Sequence, residues 1–218
     1  MHKLCVFDID GTLIDSIADI GNGVNAILEK FKLPTHTVGD YRKIIGNGAR
    51  WLCEHALPAD RGDLLDEFFK EYTPYYEEHC CCLSEPYDGM MQTLDILRGE
   101  GVELAVISNK PHPNAVRVIA HYFPETEFAF VEGMSERYPR KPDPTLLTEC
   151  MKKHGYRPEE TYYVGDSEID IAFAKAAEAH TVAASWGYRD RKVLQDSGAE
   201  FIVDSPLDIV KAVLGHIA

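Results

Sequence analysis

The sequence predicts an α/β protein: a doubly wound, mostly parallel sheet covered by helices, with a separate helical domain inserted near its start. Three observations carry this reading. Short apolar runs ending in polar residues recur along the chain, segments of helical length separate most of them, and one stretch of roughly 70 residues carries helical patterns only.

The first run, residues 3–9 (KLCVFDI), is apolar until Asp8, as a buried strand reads when its carboxyl end opens on a site. Residues 15–85 follow with helical patterns at 16–31, 38–45, 48–56 and 62–80 and no convincing strand. So long a segment exceeds an ordinary βα loop and is expected to form its own domain, joined to the sheet near 13–16 and 83–88. The expected division is 1–14 with 87–218 for the sheet-bearing domain and 15–86 for the helical one. Strand and helix then alternate: helix at 89–98, strand at 102–107, helix at 114–121, strand at 128–131, helix at 144–153, strand at 161–164, helix at 169–178, and strands at 180–184 and 201–203. That rhythm gives right-handed βαβ units, whose sheet binds ligands beyond the carboxyl ends of its strands.

Composition narrows the function. The 218 residues hold 22 Lys+Arg against 36 Asp+Glu, a formal charge of −14, which excludes a nucleic-acid partner for want of clustered positive charge. At 45% hydrophobic and 27% charged residues the chain is an ordinary globular one rather than a disordered one. The apolar start is cut short by Asp8, so neither a secretory segment nor a membrane span is expected and the cytoplasm is the expected compartment. Six cysteines without paired spacing, three of them consecutive at Cys80, Cys81 and Cys82, suit a reducing compartment. His79 beside them does not make a zinc site, since neighbouring side chains diverge.

The chemistry gathers at the strand ends. Asp8-Ile9-Asp10-Gly11-Thr12-Leu13-Ile14-Asp15-Ser16 follows the first strand, Ser108-Asn109-Lys110 the second, Arg140-Lys141-Pro142-Asp143-Pro144 the third, and Gly165-Asp166-Ser167-Glu168-Ile169-Asp170 the fourth. Each alone has a plain structural reading: Asp166 and Ser167 as a helix cap, Ser108-Asn109 as a turn, Lys141 as a solvated charge. Asp8 resists one, because it ends an apolar strand. Asp8, Asp10 and Asp166 converging would repel unless a cation joined them, and beside phosphate-handling groups that cation is Mg²⁺. A calcium loop fails, with Leu13 where its glycine belongs and Asp19 where its final glutamate belongs. Alternation puts Asp8 and Asp10 on one side of the strand, and two carboxylates in different environments are what covalent hydrolysis needs.

Taken together, DIDGTLIDS, SNK, RKPDP and GDSEID resemble the haloacid dehalogenase superfamily in order and spacing, across essentially the whole chain. Within it they resemble the phosphoglycolate-phosphatase-like enzymes, which carry a helical cap after the first motif. The resemblance implies a Rossmann-like core and an Mg²⁺-dependent phosphomonoester hydrolase acting on a small phosphorylated metabolite through an aspartyl-phosphate. By it Asp8 would be the nucleophile, Asp10 the acid and then the base, and Ser108 and Lys141 the holders of the phosphoryl oxygens. Backbone N–H groups around Gly11, Thr12 and Asn109 would help bind substrate. Mg²⁺ would be held by the Asp8 carboxylate, the Asp10 main-chain carbonyl and Asp166, with Asp170 orienting Lys141 or a metal-bound water.

In the helical domain Ile45-Gly46-Asn47-Gly48-Ala49-Arg50-Trp51 is the most informative stretch, and Arg50 is expected to read an anionic group at the substrate's non-reacting end. Phe68, Phe69, Tyr72, Tyr75 and Tyr76 read as the apolar interior of that domain, and Trp186-Gly187-Tyr188-Arg189 as a loop bordering the pocket. Alternatives within the superfamily are a β-phosphoglucomutase-type mutase, disfavoured by Thr12 where those enzymes commonly have valine, and a pyrophosphatase or nucleotidase. Phosphonatases need a cap lysine for which Lys30, Lys32 and Lys43 lack the context. A phospho-receiver module is disfavoured because Asp8 follows the first strand and a helical insert intervenes. Monomer and homodimer are not distinguished by the sequence.

Overall fold

The structure is a computed structural model that describes residues 2–215. β1 (Lys3–Phe7) is buried along nearly its whole length. Its alternation divides its side chains between two faces. Leu4 and Val6 pack with Leu147, Met151 and Phe173, whereas Cys5 and Phe7 join Leu94, Val118 and Ile209 on the other side. A strand covered on both faces has no polar face to show, which is why its sequence is a continuous apolar run.

A tight turn follows, in which the Ile9 carbonyl accepts from the N–H groups of Thr12, Leu13 and Ile14. β2 (Ile14–Asp15) then leads into a helical insertion: α1 (Ile17–Lys30), a 3₁₀ turn (Val38–Lys43), α2 (Ala49–Ala56), a second 3₁₀ turn (Gly62–Leu64) and α3 (Leu65–His79). β3 (Glu85–Pro86) returns the chain, pairing antiparallel with β2 through Ile14–Pro86 and Asp15–Glu85. The sequence predicts no strand here, and two-residue strands are too short to show an alternating pattern. The predicted helix at 38–45 is only a 3₁₀ turn, capped by reciprocal contacts of Thr37 and Asp40 and carrying helix-unfavourable Val38 and Gly39 near its start.

A buried carboxylate ties the insertion's two ends together. Asp19, in the first turn of α1, accepts from the N–H groups of Cys82, Leu83 and Ser84 at 3.1, 2.9 and 2.9 Å and from the Ser84 hydroxyl at 2.6 Å. Four donors satisfy a buried carboxylate that would otherwise be costly.

The remainder alternates strand and helix: α4 (Met90–Gly99), β4 (Val102–Pro111), α5 (His112–Tyr122), β5 (Val131–Met134), α6 (Thr145–His154), β6 (Thr161–Gly165), α7 (Glu168–Ala176), β7 (His180–Ala184), α8 (Arg191–Asp196), β8 (Phe201–Val203) and α9 (Pro206–Leu214), with α8 and α9 lying where the sequence predicts no element. Six strands form one parallel sheet in the order β5-β4-β1-β6-β7-β8. The chain winds outward from β1 through β4 to β5, then returns to β6 and winds the other way. The crevice where ligands bind such sheets therefore opens at the carboxyl ends of β1 and β6. β4 runs four residues beyond its predicted end, with its register against β5 interrupted between Ile107 and Pro111, so Ser108, Asn109 and Lys110 sit on an irregular strand end. β5 starts at Val131, where the sequence predicts the strand to end. Among the described residues no helix is long and apolar enough to cross a membrane.

Candidate active site

Asp8 is the first residue past β1, and its N–H still donates to the Val164 carbonyl of β6 at 2.9 Å. The ladder thus fixes its backbone while its side chain stands at the buried mouth of the crevice. Lys141 Nζ lies 3.1 Å from Asp8 Oδ1 and 2.6 Å from Asp170 Oδ1, and it donates to the Tyr163 hydroxyl at 2.9 Å. That hydroxyl donates on to the Ile107 carbonyl at 2.7 Å. Burial pushes the Asp8 carboxyl up to about 6, against the pull of Lys141 and a hydrogen bond from Ser108. Burial also works against the charge on Lys141, but Asp170 and Asp8 outweigh it and hold its pKa well above that of an ordinary lysine.

Asp166 is the first residue past β6, beside Asp8. Its Oδ2 accepts from the Tyr188 N–H at 2.6 Å, and burial, followed by the like charge of Asp170, holds its carboxyl well above the usual range. The carboxylate is walled in by backbone. A Cβ on Gly11, whose φ is +82°, would lie 2.5 Å from Asp166 Oδ2, and one on Gly187 would lie 2.2 Å from Asp166 Cβ. Only residues without side chains admit the acid here.

One carboxylate oxygen from each of Asp8, Asp166 and Asp170 lies within 4.8 Å of the others. Lys141 is the ammonium paired with this cluster, and Asp8 Oδ1 is buried without a well-directed hydrogen bond. Three buried carboxylates around one ammonium leave uncompensated negative charge, and an oxygen-only donor set suits Mg²⁺.

The Asp10 carboxylate faces elsewhere. Its Oδ1 accepts from the Ser16 hydroxyl at 2.6 Å and from Lys110 Nζ at 2.7 Å. Lys110 Nζ also donates to the hydroxyl of Tyr76, on α3, at 2.6 Å. Asp8, Asp10, Ser108, Asn109 and Lys110 form the sheet side of a cleft of about 470 Å³. Ile20, Ile45, Leu52, Tyr72 and Tyr76 form the insertion side.

Several predicted contacts fall differently. The carboxylate that joins Asp8 and Asp166 is that of Asp170, because Ser16 and Lys110 hold the Asp10 side chain away. The Gly11 N–H is spent on the Ile14 carbonyl at 2.9 Å, so it is not free for a phosphate. Thr12 is fully buried below the cleft, its carbonyl accepting from Trp186 Nε1 at 3.2 Å. The Asn109 amide is also committed. It accepts from the Lys141 N–H at 2.9 Å, donates to the Lys141 carbonyl at 3.2 Å, and donates to the Gly46 carbonyl of the insertion at 2.9 Å. Arg50 points outward. Ala49 and Leu52, one turn apart on α2, line the cleft, whereas Arg50 pairs with exposed Asp66 and lies over the Phe69 ring.

Sequence reasoning gave Lys110 and Gly187 no part of their own beyond the Ser108-Asn109-Lys110 segment and the loop bordering the pocket, gave Tyr163 none, and read Tyr76 as interior only. The available signals were a lysine directly after Ser108-Asn109 at a strand end and a glycine in the loop after β7. Arg189 of that loop donates to the Arg42 and Ile45 carbonyls of the insertion, and Arg140 donates to that of Asn47.

An open parallel sheet bearing a buried Asp–Lys pair, an acidic cluster and a covered cleft at its switch point defines a class of phosphoryl-transfer enzyme. Comparison with known proteins agrees. Residues 5–184 match the family described as haloacid dehalogenase-like hydrolase, and the chain belongs to that family. It is 33% identical over 221 residues to phosphoglycolate phosphatase 1 of Pseudomonas aeruginosa, covering 96% of this chain and 79% of that protein. It is 30% identical over 215 residues to the phosphoglycolate phosphatase of Aquifex aeolicus, covering 99% and 98%. A crystal structure of a predicted phosphoglycolate phosphatase from Haemophilus somnus superposes with a TM-score of 0.87 at 30% identity, covering 97% of both chains. The protein is a phosphatase.

Proposed function

We propose that this phosphatase is an Mg²⁺-dependent phosphomonoesterase that acts on a small phosphorylated metabolite through an aspartyl-phosphate, with 2-phosphoglycolate the first candidate substrate. The observation that carries the reading is the Asp8 carboxylate at the end of β1, 3.1 Å from the Lys141 ammonium and within the cluster completed by Asp166 and Asp170. The names of the full-length relatives support the substrate class.

In this reading an Asp8 oxygen attacks phosphorus and the ester C–O–P bridge breaks on the phosphorus side. The departing alkoxide takes a proton from Asp10, which later removes one from the water that attacks the aspartyl-phosphate, so Asp8 is returned and inorganic phosphate leaves. Lys141 and Ser108 hold phosphoryl oxygens, and the Asp170 carboxylate and Tyr163 hydroxyl keep Lys141 in place. Asp8, Asp166 and Asp170, with the Asp10 main-chain carbonyl, are the groups that would hold Mg²⁺, which when bound supplies positive charge against the phosphoryl oxygens. Residues 15–86 act as a cap that excludes bulk water from the cleft and keeps macromolecules out.

The test is phosphate release by the purified chain with and without Mg²⁺, using 2-phosphoglycolate, pyrophosphate and hexose phosphates. Acid-quenched enzyme should carry a hydroxylamine-labile phosphate on Asp8. Release without such an adduct would overturn the covalent route. Efficient turnover of pyrophosphate or interconversion of hexose phosphates, with no release from 2-phosphoglycolate, would replace the proposed substrate class.

A further inference from the structure

Among the described residues, the cleft is lined by one cationic side chain, Lys110. Its insertion side is built from aliphatic and tyrosine side chains and the backbone around Gly46 and Gly48, and on its sheet side the charged groups are Asp8, Asp10 and Lys110. Lys141 sits behind Asp8, against Asp170 and Tyr163, and Arg50 is outside. An ester whose non-reacting end is a carboxylate therefore meets Asp8 and Asp10, neither of which attracts it, and one group that can attract it.

Lys110 is built for that contact. Its side chain is 2% exposed, and lysine is almost never buried so deeply without partners. It has two, Asp10 Oδ1 at 2.7 Å and the Tyr76 hydroxyl at 2.6 Å. An ammonium carries three N–H donors, so one is left over. The Tyr76 hydroxyl accepts from Lys110 and keeps its own proton to give, its pKa held well above that of ordinary tyrosine by burial and then by Asp10. Two donors, one from the sheet and one from the insertion, thus stand at the same point of the wall. Ser108 and Lys110 are two residues apart at the end of β4 and both line the cleft, so the phosphoryl-holding hydroxyl and the ammonium are near enough to meet the two ends of a short phosphoester.

We propose that Lys110, with the Tyr76 hydroxyl beside it, is the specificity-determining contact that reads the carboxylate at the non-reacting end of a short phosphorylated acid. This rests on the phosphomonoesterase reading above and adds to it a reason for preferring acidic over neutral esters of the same length. Charge-assisted hydrogen bonds in a water-poor site are strong enough to set a preference of about 10- to 100-fold.

The experiment compares kcat/KM for 2-phosphoglycolate and for ethyl phosphate, which replaces the carboxylate with a methyl group, in the full chain with Mg²⁺. The wild-type protein is expected to favour the acid by about 10-fold or more. Lys110→Met is expected to erase most of that ratio, chiefly through a higher KM for 2-phosphoglycolate. Lys110→Gln, which can still hydrogen-bond to Asp10 and Tyr76, should erase it equally, since it is the charge that selects. A common loss factor for both esters in the variants would make Lys110 only a support for Asp10 and overturn the proposal. So would retention of the preference in Lys110→Gln, or a wild-type protein that hydrolyses both esters equally, which needs no variant to fold. That last result would leave the phosphomonoesterase reading intact, whereas absence of release from either ester would remove both.

Discussion

Two buried lysines in this protein have nearly the same neighbours and different relations to the fold. Lys141 touches Asp8, Asp170 and the Tyr163 hydroxyl, all carried by the sheet and α7. Lys110 touches Asp10 and the Tyr76 hydroxyl, and Tyr76 belongs to α3 of the insertion. The first group is complete without the insertion. The second closes only when α3 lies over the sheet, so recognition and closure share a residue. Preorganised charge suits the step common to all phosphoesters, and a contact shared between the two parts of the molecule suits the step that distinguishes one ester from another.

That contrast can be broken at several points. The largest effect is expected for Asp8→Asn, which should lower phosphate release by roughly 10⁴-fold or more while leaving the melting temperature equal or higher, because it removes a buried carboxylate that burial already disfavours. Phosphate release and thermal melts on the same preparation check both halves. Lys141→Met should abolish most activity and also cost about 3–5 kcal/mol in a denaturant titration, since it strands Asp8 and Asp170 as uncompensated charges.

A smaller effect concerns pH. The raised pKa of Asp8, about 6, means that the folded protein holds a proton there which the unfolded chain releases near pH 4. Without a cation, stability therefore falls as pH rises through the interval from about 4 to 6, and the penalty stays above it. Mg²⁺ must compete with that proton at low pH. The rise in melting temperature on adding Mg²⁺ should accordingly be larger at pH 7.5 than at pH 5, and an equal rise would separate the ion from Asp8. The smallest expected effect is that of Tyr76→Phe, about 1 kcal/mol in stability, with a modest rise in KM for an acidic ester. A double-mutant cycle with Lys110→Gln would show whether the two act as one contact.

The four chemistry-bearing segments were legible because each is local. An apolar run that stops at Asp8, or at Asp166, announces a strand end whatever the rest of the chain does. What the sequence could not place is a matter of phase and distance. Arg50 is one residue from Ala49 and two from Leu52, yet on a helix those two face the cleft and Arg50 does not. Asp170 rather than the Asp10 side chain joins Asp8 and Asp166, because one turn of α7 brings Asp170 back over Gly165, where a Cβ would lie 2.3 Å from its own Cβ. The particular contacts of Lys110 were not legible because its decisive partners are 34 and 100 residues away. The stem of β2 and β3 is made of pairs of residues too short to carry any periodic signal.

The clamp formed by Asp19 carries a last consequence. Three of its four donors are peptide N–H groups, which every residue except proline supplies alike. Cys82 and the largely exposed Leu83 can therefore drift in identity with little penalty. The spacing of that segment has no such freedom, since adding or deleting a single residue there would swing different N–H groups toward the acid and shorten or slacken the tether that joins the insertion to the sheet.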